Sequence, residues 1–172
     1  MIRLWLAAAS LFCLALTGCS TAPGVKIVSM GSRAEAGLIV YTVLEAQWKS
    51  QLGDAESARI PGDRFLLLRL SITNGGPQEV SVPLTTLIGP GGDTHAELTD
   101  VSGVPDWLGT LRKLAPVETV FGWVAFDVPR SDYQLRVSND AFDPADAKTA
   151  LIEIPLRFES GPGILPPSNP RR

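Results

Sequence analysis

Between residues 64 and 73 the chain reads Arg-Phe-Leu-Leu-Leu-Arg-Leu-Ser-Ile-Thr, so that Leu66, Leu68, Leu70 and Ile72 fall at every second position. A period of two marks an extended strand, because successive side chains leave a pleated backbone on opposite faces. A helix would scatter those four residues around its circumference. The segment therefore requires a sheet with one buried face, opposite Arg69, Ser71 and Thr73; Phe65 and Leu67 interrupt that polar face at its start. It stops at Asn74-Gly75-Gly76-Pro77, whose glycines permit the positive φ of a tight reversal.

The same grammar repeats along the chain. Residues 38–48 are rich in β-branched and aromatic side chains, as a half-buried strand should be. Val80 and Val82 alternate, Gly89-Pro90-Gly91-Gly92-Asp93 marks a hairpin, and residues 94–98 return from it. Val120, Val124, Phe126 and Val128 share a face, with Gly122 among them lacking a side chain. Tyr133, Leu135 and Val137 alternate next, and Ile152, Ile154, Leu156 and Phe158 close the series. Pro155 has no N–H and faces outward in that series, which places it toward a sheet edge. Asp143-Pro144-Ala145-Asp146 reads as a capped helical turn. Seven or eight short strands separated by turns predict an all-β fold, an immunoglobulin-like antiparallel β-sandwich.

The N-terminus carries a different signal. Met1-Ile2-Arg3 precedes an apolar run, residues 4–16, too short for the roughly 20 residues that span a bilayer. That run ends in Leu16-Thr17-Gly18-Cys19, the pattern of a bacterial lipobox, in which the thiol receives the lipid. Cys19 is accordingly expected to be lipidated after cleavage. The chain has only two cysteines, and Cys13 lies in the segment to be removed, so no disulfide is expected. The division that follows is residues 1–18, signal peptide; 19–37, lipid-anchored tether, with 25–30 available as an edge strand; 38–159, sandwich; and 160–172, a Pro-rich mobile tail. Ser20, where enteric bacteria use Asp for inner-membrane retention, directs the expectation to the outer membrane of a two-membrane cell.

The block of residues 64–74 ending in Thr73-Asn74, the Gly-rich hairpin, and Gly122-Trp123-Val124-Ala125-Phe126-Asp127-Val128-Pro129 together resemble the telokin-like, immunoglobulin-like domains of unknown function found in bacterial lipoproteins. The resemblance covers about residues 38–156. At the turn before the second block that family usually has Pro-Gly, whereas this chain has Pro116-Val117. The resemblance implies the sandwich and export, and it brings no catalytic motif.

Chemistry-bearing groups are sparse. A formal charge of −3 and the lack of a basic run interleaved with aromatics argue against nucleic acid. His95 is the one histidine; it follows a Gly-rich turn, where a solvated hairpin residue is the expectation, and a Ser–His–Asp site would have to be built on it. Met30 and His95 are too few for a copper site, and Asp140, Asp143 and Asp146 lack the alternation of a Ca²⁺ loop. No catalytic residue, cofactor or metal ligand is therefore assigned.

The segment most suited to a partner is 100–114, which holds Pro105, Asp106, Trp107 and Leu108. Trp107 fits two roles, an exposed anchor for a partner or a plug at one end of the sandwich. Phe121, Trp48 and Trp123 read as core, although Trp123 lies opposite Val124 and needs cover. The expected function is a non-catalytic envelope protein, held to the membrane by its N-terminal lipid, that binds a protein or glycan. The alternative is a carboxylate-dependent hydrolase drawing on Asp100, Asp106 and Glu118.

Overall fold

The computed structural model describes residues 25–53 and 58–157; the segment read as signal peptide, Cys19, Phe158 and the Pro-rich segment read as a tail lie outside the described residues. The described residues form an all-β sandwich. One sheet has the order β1-β11-β10-β6-β7, from β1 (Lys26–Ser29), β11 (Thr149–Ile154), β10 (Tyr133–Ser138), β6 (Thr86–Ile88) and β7 (Thr94–Ala96). The other has the order β2-β3-β4-β9, from β2 (Ala34–Ala36), β3 (Ile39–Lys49), β4 (Phe65–Asn74) and β9 (Thr119–Asp127). A small ribbon pairs β5 (Val80–Val82) with β8 (Arg112–Leu114).

The alternating leucines behave as their spacing requires. Leu66, Leu68, Leu70 and Ile72 are fully buried and meet Val124 and Phe126 of β9 and Leu135, Ile152 and Ile154 of the facing sheet in one core. The edge strand allowed for at 25–30 is β1, the outer strand of its sheet, though it runs parallel to β11 instead of antiparallel. Pairing corrects the sequence reading elsewhere: β2 lies within the segment read as tether. Pro155 ends β11 rather than marking an edge, because β11 is flanked by β1 and β10 on its two sides.

The residues of the two sequence blocks secure the joints of this frame. The buried Asn74 side chain donates to the carbonyls of Gln78, Leu114 and Ala115 and accepts from Gly76 N–H, locking the end of β4 to the end of β8. The Asp127 carboxylate accepts from the N–H groups of Gly62 and Asp63 at 2.7 and 2.9 Å, holding the entry to β4. Tyr133 Oη donates to Pro129 O, bracing the corner between β9 and β10. Residues 143–147 form the capped turn expected there: Asp143 Oδ1 accepts Ala145 N–H, and the chain then moves on to β11.

Candidate functional site

Phe65 and Leu67, the residues that broke the polar face of β4, belong to a second small core on the outside of their sheet. It comprises Leu52, Phe65, Leu67, Val101 and Ala125, with Leu98, Val104, Trp107 and Trp123 packed around it. The segment 98–111 makes this core possible by running as a strap along the free edge of β9. Leu98 N–H donates to Ala125 O at 2.8 Å, Trp123 N–H to Asp106 O at 2.9 Å, and Leu108 N–H to Trp123 O at 3.0 Å. Trp107 and Trp123 are thereby joined as a short parallel bridge. Neighbouring residues then diverge as in a strand: Trp107 turns to the outer core and Leu108 to the main one. The cover that Trp123 needs is this strap.

Close approach fixes the strap's sequence. A side chain at Gly122 would put its Cβ 2.4 Å from Asp106 O and 2.8 Å from Leu108 Cγ, so only glycine lets the strap reach β9. Asp106 takes a positive φ of 54° at the point of contact.

The strap is also latched from inside. Arg112 and Glu97, both buried, form an ion pair; Arg112 Nε donates to Gly109 O at 2.8 Å, and Glu97 Oε2 accepts from Thr85 N–H and Oγ1–H, each at 2.9 Å. Sequence reasoning missed this pair, although Arg112 shares the inward phase of Leu114. Both charges lie close enough to act on Tyr41, whose phenol is pushed up mainly by burial and which donates to Ser138 O at 2.7 Å.

Of the four residues expected to meet a partner, Pro105 and Asp106 are exposed, while Trp107 and Leu108 are half-buried. Trp107 neither stands free nor plugs an end; it packs against the outer core, with its indole Nε1 buried and without a hydrogen-bond partner among the described residues. Beside it, Gln47, Lys49, Gln51, Val104, Pro105 and Trp123 border a cleft of about 300 Å³. Trp107→Ala is expected to cost about 2 kcal/mol in urea unfolding, less than the roughly 3–5 kcal/mol of a fully buried Trp. Trp107→Phe should cost little, since it keeps a ring and removes a buried donor. A variant Trp107→Ala as stable as the parent would contradict this packing.

Other expectations are redistributed. Phe121 is exposed at 57% rather than core, because it lies on the outer face of β9 beyond the strap's reach. His95 is half-buried rather than solvated, bonded to Asp93 and edge-on to the Tyr133 ring at 5.8 Å. Asp100 accepts from Ser102, and Glu118 from Ala115 N–H, each within its own turn. Neither of these carboxylates, nor Asp106, lines either cavity described. A larger cavity of about 570 Å³ lies at the end where β10 begins, lined by Met30, Ile88, Pro90, Asp132, Tyr133 and Glu153 among others. Burial, helped by Asp93 and Asp63, pushes the Tyr133 phenol up. Among the described residues no group of three acidic, histidine or cysteine side chains is arranged to hold a metal ion.

No curated protein matches the chain in sequence. Among solved structures, the yjhA protein of Bacillus subtilis is similar with a TM-score of 0.59 at 13% identity, over 73% of this chain and 98% of that one. A functionally unknown protein of Listeria monocytogenes is similar with a TM-score of 0.55 at 12% identity, over 75% of this chain and 84% of that one. The ycdA protein of Bacillus subtilis, described as a candidate lipoprotein, gives a TM-score of 0.58 at 12% identity over 74% of this chain but only 39% of its own length. At these identities the likeness speaks for the fold alone. The model of one family, by contrast, matches residues 28–147, from within β1 to the turn before β11, and the chain belongs to that family, Domain of unknown function (DUF4352).

Proposed function

We propose that this protein is a non-catalytic, lipid-anchored component of a bacterial cell envelope whose sandwich binds a protein or glycan through the strap and its cleft. The observation that carries the reading is the strap itself. Residues 98–111 are pinned to β9 by backbone bonds and to the interior by Arg112, yet Pro105 and Asp106 remain exposed beside the cleft. A loop held rigidly on a sandwich presents its exposed residues without a large ordering cost. The cleft offers amides, an ammonium group and an indole, which suit a polar partner with apolar faces. Placing a photo-reactive residue at Asp106 is expected to capture a partner in cells, while the same residue at Pro90, which lines the other cavity and not the cleft, captures none. Equal capture at both positions would remove the strap from the reading.

Anchoring rests on Leu16-Thr17-Gly18-Cys19 and is supported by the structural neighbour described as a candidate lipoprotein. Cys19→Ser should abolish incorporation of labelled palmitate; label that survives the change rejects the anchor. Ser20 then assigns the outer membrane in a two-membrane cell, to be checked by sucrose-gradient fractionation. The telokin-like, immunoglobulin-like assignment is supported by the Tyr133–Pro129 bond, since such corners brace immunoglobulin-type sandwiches.

A further inference from the structure

One end of the sandwich gathers apolar side chains that are left exposed among the described residues. Phe142, in the connection from β10 to β11, is 104% exposed, Val117 77%, Leu38 59% and Val25 53%. Their carriers are tied together. Gly37 packs against Asn139 and Lys148, at the two ends of the Phe142 loop. Gly75 N–H donates to Leu38 O, and Asn74 N–H donates to Glu118 O, next to Val117. Lys26, one residue after Val25, sits opposite Ala150, just past the same loop.

Val117 carries a second signal. Its φ of 63° is a left-handed conformation, which a β-branched residue adopts only under strain and a glycine adopts freely. The fold thus holds a valine outward at a position where glycine would be more stable, a pattern associated with function rather than with folding.

The chain itself indicates what this end meets. Val25 is only six positions after Cys19, and an extended chain advances at most about 3.6 Å per residue. A lipid on Cys19 therefore holds Val25 within about 20 Å of the bilayer surface. Val25 enters the fold at the end that bears Phe142, Leu38 and Val117. We propose that this end of the sandwich lies against the bilayer that holds the Cys19 lipid, with Phe142, Leu38 and Val117 entering its interface. The proposal rests on the anchored reading above and adds an orientation to it. It also assigns the lipid type. Asp140, Asp143 and Asp146, exposed in the Phe142 loop, and Glu118, exposed beside Val117, outnumber the exposed Lys26 and Lys148 at the same end, so the contact favours zwitterionic headgroups over anionic ones. The cavity lined by Pro90 and Tyr133, at the opposite end, then faces away from the membrane.

The test uses the full-length lipidated protein in phosphatidylcholine vesicles. A polarity-sensitive fluorophore is attached at Phe142→Cys, or at Pro90→Cys as the control at the other end. Phe142 is fully exposed among the described residues, so its replacement leaves the fold unchanged, which a thermal melt verifies. The label at 142 is expected to shift to the blue and to be quenched at least twofold by brominated phosphatidylcholine, with the label at 90 unaffected. Replacing a third of the lipid with phosphatidylglycerol should reduce the quenching at 142. Val117→Gly should raise the melting temperature while weakening that quenching. If the protein floats with the vesicles but the 142 label stays aqueous, the orientation is wrong and the anchor stands. If the protein does not float, the anchor itself is wrong and the orientation falls with it. A blue shift that follows protein density in the vesicles rather than lipid bromination marks contact between two copies and overturns the lipid assignment.

Discussion

Glu97→Ala is expected to cost about 3–5 kcal/mol of folding stability, among the largest losses a single substitution in this chain can produce. The carboxylate has three dependants: the Arg112 guanidinium, the Thr85 N–H and the Thr85 hydroxyl, all buried with it. Deleting it leaves a positive charge in the interior with its partner gone. At roughly 2–4 °C per kcal/mol for a domain of this size, the melting temperature should fall by about 10 °C. Arg112→Ala should be milder, since the remaining carboxylate keeps both Thr85 donors. Removing both charges together, as Glu97→Leu with Arg112→Leu, should recover much of the loss, because an apolar pair has no desolvation penalty to offset. Urea unfolding of the three variants decides the matter. A double variant as unstable as Glu97→Ala would show that the pair is not the source of the effect. Loss of the Gly109 latch should also appear as faster amide exchange along the strap.

The second large effect is expected at Gly122. A valine there drives its Cβ into Asp106 O, a backbone atom that cannot swing aside, and into the Leu108 side chain. The strap must then lift from β9, breaking the two bonds that Trp123 exchanges with Asp106 and Leu108 and uncovering Trp107. Two lost backbone bonds at about 1 kcal/mol each and the strain of overpacking sum to about 3 kcal/mol or more. Hydrogen exchange locates the damage. The amides of Leu108 and Trp123 should lose protection while those of β10 and β11 keep theirs, and near-ultraviolet dichroism from the two indoles should weaken. Unchanged protection at Leu108 and Trp123 would mean that the strap tolerates a side chain beneath it.

The sequence made the long elements legible because a period of two needs several repeats to declare itself. β4 offers four inward positions, and β9 three, with a glycine where the fourth would stand. The three-residue strands β2 and β8 contain too few residues to show any period and were not found, while β5 and β7 were legible only through a single alternation or the hairpin turn beside them. Phe65 and Leu67 were visible as anomalies, but what resolves them is a strap more than thirty residues away. Phe121 misled for the opposite reason: an aromatic residue in an apolar strand reads as core, while strand parity puts it on the outer face. At the candidate site, sequence found the right segment from its Pro, Trp and Gly content. It did not find the Glu97–Arg112 latch, because a lone charge in a short strand looks like an exposed residue until its partner is placed. Asn74 and Asp127 stood out within the two blocks, and their work is mechanical: each side chain closes a joint.

The parallel pairing of β1 with β11 sets an order of assembly. Ser29 and Glu153, bonded across that pair, are 124 positions apart, so β1 has no neighbour in its sheet until β11 has been made. Contacts of such separation slow folding, since the loop must close before the contact returns any stabilisation. Under the exported, anchored reading proposed above, this delay is useful: the sheet cannot close while β11 is still on the near side of a translocation channel, and the polypeptide stays threadable until it has crossed.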